Sequence, residues 1–297
     1  MSPNDAILQL IRYTNAGKLE EFYKTIELYA DGFVASSQVR HDILRLLKQK
    51  PLKMVPIKEL QALKGLVNEL ELFDENVFLS EGLSELFDEL ILEWQNADTY
   101  KYHNVGVRRK LLLHGPTGNG KTSIAKWIAR KAELPFIEVN SEKVVESHLG
   151  ATGANISKIF TQINQPSVLF WDEIDSVGKE RNSRDNSGIE AENNRISNAL
   201  LVYLEKLNEN IVFIGATNRK DSMDSAFVRR FDELIEIKTP CLSAKENFLS
   251  FLSNMHKIPL DEINIDASHF SSFSDLKNEF KKQVRRLIAK KINIYGQ

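Results

Sequence analysis

Five short apolar runs alternate with stretches of helical spacing between residues 110 and 238, and no other feature narrows the fold as much. The runs are KLLLH (110–114), PFIEVN (135–140), SVLFWD (167–172), IVFIGATN (211–218) and ELIEIK (233–238). Nearly continuous apolar runs read as strands buried on both faces, and strands joined through helices pair in parallel. The expectation is an α/β core.

Helical patterns flank that core. From Asp5 to about Lys50, Leu19, Phe22, Tyr23, Ile26, Ala30 and Phe33 recur at three- and four-residue steps, as do Val39, Ile43, Leu46 and Leu47, which predicts a small N-terminal helical unit. KQKPLKMVPIK (48–58) carries two prolines and four lysines and reads as a linker, with the boundary between 50 and 75. LSEGLSELFDELILEWQN (79–96) has helical spacing, and after Pro240 the chain turns helical and polar again. The division expected is a helical unit over 1–65, an α/β core over 66–239 and a helical C-terminal unit over 240–297.

With 39 Lys+Arg against 41 Asp+Glu, the net charge of −2 leaves no overall basic footprint for nucleic acid or an anionic membrane. One cysteine, Cys241, excludes an intramolecular disulfide. No apolar stretch approaches the roughly 20 residues of a membrane span, and MSPNDAILQL does not resemble a secretory signal. A reducing, cytoplasmic setting is expected.

The first core run leads into GPTGNGKT (115–122), which fits G-x-x-x-x-G-K-[ST]. Glycines let the backbone turn its N–H groups toward a triphosphate, and the helix beginning near Lys121 adds its positive end. Gly115, Pro116, Thr117, Gly118, Asn119, Gly120, Lys121, Thr122 and Ser123 form the candidate nucleotide-binding loop. Lys121 is expected at the β- and γ-phosphates and the Thr122 hydroxyl on Mg²⁺. The pattern arises by chance in roughly one chain of this length in a hundred, and the strand before and helix after make chance a poorer explanation.

Three further stretches carry chemistry. SVLFWDEIDS ends a buried strand in acids, which calls for a cation or a polar crevice. Asp172 suits the Mg²⁺ shell, and Glu173 suits the activation of water. In IVFIGATNRK, Asn218 ends another strand where it could reach that water or simply cap a turn. NRKD (218–221) has its lysine misplaced for guanine recognition, which argues against GTP. In MDSAFVRRFDE, Arg229 and Arg230 have only Asp232 and Glu233 nearby and read as solvated, or as charges offered to a neighbouring subunit's phosphate.

The ordered set GPTGNGKT, VLFWDEID, IGATNR and MDSAFVRRFDE resembles the AAA subgroup of the AAA+ ATPases over roughly residues 70–290. The resemblance implies a five-stranded parallel sheet, a small helical lid and a homo-oligomeric ring, usually a hexamer, with ATP bound between subunits. It makes Lys121 and Thr122 the P-loop pair, Asp172 and Glu173 the Walker B pair, and Asn218 the first sensor. Arg229 and Arg230 become arginine fingers acting in trans, while Arg219 and Asp224 are expected to be structural. Phe273, Ser274 and Asp275 replace the family's Gly-Ala-Asp at the last long helix, and Arg285 and Arg286 lie further along it, at the surface or an interface.

EKVVESHLGATGANISKIF (142–160) resembles the segment holding the family's central pore loop, with His148-Leu149-Gly150 where threading members place an aromatic residue, an apolar one and Gly. A histidine ring can press on a threaded backbone but is more polar, so an exposed loop histidine without such a role stays an alternative. KERNSRDNSGIEAENNR (179–195) reads as a mobile polar loop. The function expected is Mg²⁺-dependent ATP hydrolysis in a ring that remodels, unfolds or regulates a protein partner. An ATP-dependent switch gating an effector is the alternative, and a nucleic-acid motor is the least favoured.

Overall fold

The structure, a computed structural model, describes residues 63–70, 77–79, 82–145, 151–176 and 188–295. All of them fall in one of the chain's two units, Pro56–Gln297. The expected N-terminal helices lie outside the described residues, as do 146–150 with the candidate pore loop and 177–187 with most of the polar loop.

All five apolar runs are strands. After β1 (Val67–Leu70) and the helices α1 (Leu83–Gln95) and α2 (Ala97–Tyr102) come β2 (Lys110–His114), α3 (Lys121–Lys131), β3 (Phe136–Val139), α4 (Ser141–Val145) and α5 (Ala151–Gln162). β4 (Ser167–Trp171), α6 (Gly188–Glu205), β5 (Ile211–Thr217), α7 (Ser225–Val228) and β6 (Glu233–Glu236) complete the core, followed by α8 (Leu242–His256) and α9 (Phe273–Tyr295).

The sheet has six strands in the order β1-β3-β4-β5-β2-β6. β2 to β6 run parallel, as expected, and β1 adds an antiparallel edge, Val67 opposite Val139, that was not expected. VNEL is too short and polar to read as a strand, and only pairing with β3 makes it one. The polar stretch 179–195 is also shorter than composition suggests, because α6 begins at Gly188. Glu, Ala and Glu at 190–192 are residue types with good intrinsic helix propensity.

Side chains alternate across the strands. Leu112, Leu169, Trp171 and Phe213 pack on one face with Ile156 and Ile159 of α5, Leu200 and Leu204 of α6 and Phe227 of α7. Leu111, Leu113, Phe170 and Ile214 pack on the other with Phe87 and Leu90 of α1 and Ile124, Ala125 and Ile128 of α3. Both faces are covered, which is why these strands read as apolar runs. The sheet therefore sits between two helical layers.

An ion cluster fixes α1 to the core. Arg108 donates through Nε to Glu93 (2.8 Å) and through Nη1 to Glu233 (3.0 Å), and it also bonds Glu89. Glu93 is only 5% exposed, and the Arg108 backbone N–H donates to it as well (3.0 Å). These carboxylates raise the Arg108 pKa further above its already high ordinary value, Glu93 most of all.

The C-terminal unit has its own core of Phe248, Leu249 and Leu252 from α8 and Leu276 and Phe280 from α9. Phe78, which precedes α1, enters it edge-on to Phe248 and Phe273 at 5.5 Å each.

Candidate functional site

The chain leaves β2 for β3 on one side of the sheet and leaves β5 for β6 on the other, so a crevice opens at the C-terminal ends of β2 and β5. Ligands bind at such switch points in α/β sheets. Lys121, Asp172 and Asn218 each follow directly on a strand or loop that ends there.

The 115–120 loop keeps its shape through backbone conformations that side chains resist. Gly115 (φ 143°) hugs the strand end so closely that a Cβ would lie 2.1 Å from the Ile237 carbonyl oxygen. At Gly118 (φ 80°) a Cβ would come within 2.8 Å of Ser272 Oγ, at the start of α9. α3 begins at Lys121 after a left-handed Gly120, and no side chain caps it. Its first N–H groups and positive dipole end are left for an anion.

Lys121 lies in the cradle and is 7% exposed. Its Nζ donates to the carbonyl oxygens of Gly115 (2.8 Å) and Pro116 (2.9 Å) and to Asn218 Oδ1 (2.5 Å). Burial pushes the ammonium below its usual pKa, while Asp172 and Asp175 pull it back up. A partly desolvated cation held only by neutral oxygens is ready to take an anionic partner.

Beside it, Thr122 Oγ1 donates to Asp172 Oδ2 (2.8 Å). The other oxygen of Asp172 accepts the Glu173 N–H (2.9 Å), and the Asp172 carbonyl accepts Ser141 Oγ (3.1 Å). A hydroxyl and a carboxylate fixed side by side suit a hard divalent cation that also binds phosphate oxygens. Glu173 is exposed and has φ 51°, a left-handed conformation that costs a non-glycine residue roughly 1–2 kcal/mol. Strain of this kind clusters at working sites.

The remaining sequence-selected residues scatter. Pro116 and Thr117 are exposed at the loop crown, and Ser123 is half-buried in α3. Asn119, 3% exposed, faces the C-terminal unit, accepting from the Phe273 N–H (3.4 Å) and donating to the Lys238 carbonyl (3.5 Å). Asp224 caps α7 by accepting from the Ala226 N–H (2.8 Å). Arg229 is exposed, but Arg230 pairs with Glu205 at the end of α6 (2.6 Å). That partner lies too far along the chain for a local search to find, so Arg230 is not merely solvated.

Other residues escaped sequence reasoning. Asp175 accepts from Thr217 Oγ1 (2.7 Å), and the same hydroxyl accepts the Arg219 N–H (2.9 Å), which sets the turn carrying Asn218. His114 lies at the root of the loop with Lys220 beside it (3.3 Å). Both pairs are adjacent to recognised motifs, but nothing in the sequence joins their partners.

Residues 111–239 match the family model described as ATPase family associated with various cellular activities (AAA). The chain is 33% identical over 201 residues to the uncharacterized AAA family ATPase y4kL of Sinorhizobium fredii, across 67% of this chain and 60% of that protein. It is 37% identical over 191 residues to the ATP-dependent zinc metalloprotease FtsH 2 of Thermoanaerobacter sp., across 61% of this chain and 36% of that one. A putative cell division cycle ATPase of Plasmodium falciparum is 32% identical over 227 residues, across 73% of this chain and 18% of that protein. The chain therefore spans from 18% to 60% of the length of these relatives.

Proposed function

This chain belongs to the AAA family of ATPases, and on that premise we propose that it hydrolyses ATP with Mg²⁺ in a homo-oligomeric ring, probed below as a hexamer, to remodel or unfold a protein partner. The observation that carries the proposal is the convergence of Lys121, Thr122, Asp172 and Asn218 on one crevice, with Glu173 exposed beside them.

Lys121 exchanges its carbonyl contacts for the β- and γ-phosphate oxygens, to which its charge is better matched. Thr122 and Asp172 would hold Mg²⁺, which when bound neutralises charge on the phosphates. Glu173 takes the proton of the attacking water, and the Asn218 amide orients that water from the opposite wall. Arg229, exposed at the end of α7, reaches the neighbouring subunit's γ-phosphate, while Arg230 stays with Glu205.

The choice of a protein partner rests on the FtsH relatives, whose name describes an ATP-dependent metalloprotease. Hydrolysis per subunit, followed from dilute monomer to ring, tests the reading. A rate that climbs with assembly to a hexamer supports it; a rate that stays flat rejects the trans role of Arg229, and no hydrolysis at any concentration rejects the whole.

A further inference from the structure

His114 ends β2, directly before the phosphate loop, with Thr217 of β5 and Glu236 of β6 as its lateral neighbours. Its Nε2 lies 3.3 Å from Lys220 Nζ, in the turn that follows β5. An ammonium group has only protons to offer, so at this distance Nε2 presents its lone pair and the imidazole is neutral, with its proton on Nδ1.

Two contacts therefore span the same crevice. Lys121 reaches Asn218 (2.5 Å) from the head of α3, and Lys220, in the same turn as Asn218, reaches back to His114 at the foot of the loop. The second contact survives only while the imidazole is uncharged. Protonated, His114 would face one ammonium at hydrogen-bond distance and a second, Lys121, nearby, with Glu236 and Asp221 as the opposing charges among the described residues. Burial, and then Lys220, hold its pKa below the ordinary histidine value, against the pull of Glu236 and Asp221.

We propose that neutral His114 is a positioning residue of the nucleotide site: it anchors Lys220, keeps the Asn218 amide in place over Lys121, and releases that turn when it is protonated. The proposal rests on the ATP-hydrolysis reading for its consequence in turnover, though not for the contact itself. It makes the crevice acid-sensitive through a group that touches neither phosphate nor metal.

The sign of the linked stability is fixed. An unfolded histidine titrates near about 6.5 and folded His114 lower, so between those two values the unfolded chain binds more protons. Stability is full above the unfolded value and falls as pH drops toward the folded one.

The test compares the natural chain with His114→Gln, whose amide oxygen accepts from Lys220 without titrating, and with Lys220→Met. Turnover is followed over about pH 5 to pH 8, each protein normalised to its own rate at the upper end. In nucleotide-free protein, imidazole and Asn218 side-chain amide resonances are followed over the same range, with His114 assigned by the signal lost in His114→Gln. In the natural chain, turnover is expected to fall by up to about tenfold per pH unit below the His114 midpoint, the limit for one proton. His114→Gln flattens that limb. The Asn218 resonance moves with the His114 midpoint in the natural chain and stays fixed in His114→Gln, and Lys220→Met raises the midpoint.

An acid limb unchanged in His114→Gln overturns the proposal, as does an Asn218 resonance that ignores His114. If the natural chain hydrolyses no ATP at any pH, the functional reading fails while the resonances still decide the contact.

Discussion

Lys121 Nζ and Asn218 Oδ1 meet at 2.5 Å, closing the crevice between β2 and β5 with one charge-assisted hydrogen bond. Two motifs 97 positions apart become opposite walls of one site. Removing either wall should fail differently. Lys121→Met removes the cation and is expected to abolish nucleotide binding, whereas Asn218→Ala is expected to bind nucleotide and lose about 10²-fold in turnover, the loss typical of one aligned polar group. Nucleotide affinity and steady-state hydrolysis, measured on both variants, separate the two.

Glu173 sits in the left-handed region at φ 51°. Glu173→Gly relieves that strain and is expected to stabilise the fold by about 1 kcal/mol, while Glu173→Gln keeps it. Both lose turnover with the carboxylate. Calorimetry should find Glu173→Gly melting about 2–4 °C above Glu173→Gln, and equal melting would remove strain from the account.

Arg108→Met leaves Glu93, 5% exposed, without its charged partner. A buried carboxylate stranded in this way costs about 3–5 kcal/mol. Urea unfolding should show the loss, and Glu93→Leu added to Arg108→Met should restore much of it, because an apolar side chain suits the contact between α1 and the sheet.

The two adjacent arginines should separate as well. Glu205→Ala removes the partner of Arg230 but is expected to cost under about 1 kcal/mol, since both side chains are partly exposed. Arg229→Ala, by contrast, should abolish stimulation by assembly. Mixing Arg229→Ala with Glu173→Gln should restore hydrolysis above the sum of the parts, because each supplies what the other's interface lacks.

Much of this fold was legible from the order of residues alone. β2 to β5 are largely buried on both faces, so each prints a nearly continuous apolar run, and the residues at their C-terminal ends stand where a parallel sheet places its ligands, whereas the edge strand β6 buries only Ile235 and shows through alternation. β1 was not legible, because VNEL is made a strand by pairing rather than by its own pattern. Lys121, Thr122, Asp172 and Asn218, which pair as Lys121–Asn218 and Thr122–Asp172, were singled out through their motifs. His114, Lys220 and Glu205 were not, because their meaning lies in partners 106 and 25 positions away. The side chain of Asn119 illustrates the limit within a motif: it stands in the loop but turns to Phe273.

The phosphate loop is held on one flank by residues that the ribosome adds much later. Ser274 N–H donates to the Gly118 carbonyl (2.9 Å), and Phe273 N–H donates to Asn119, 154 positions upstream. At 5–20 residues per second, roughly 8–30 s of synthesis separate the loop from these braces. A nascent chain halted inside the sheet would carry every residue of its first motif and still lack the shape that grips a nucleotide. Competence should arrive late in translation, and ribosome-bound fragments that end before α9 should fail to capture nucleotide.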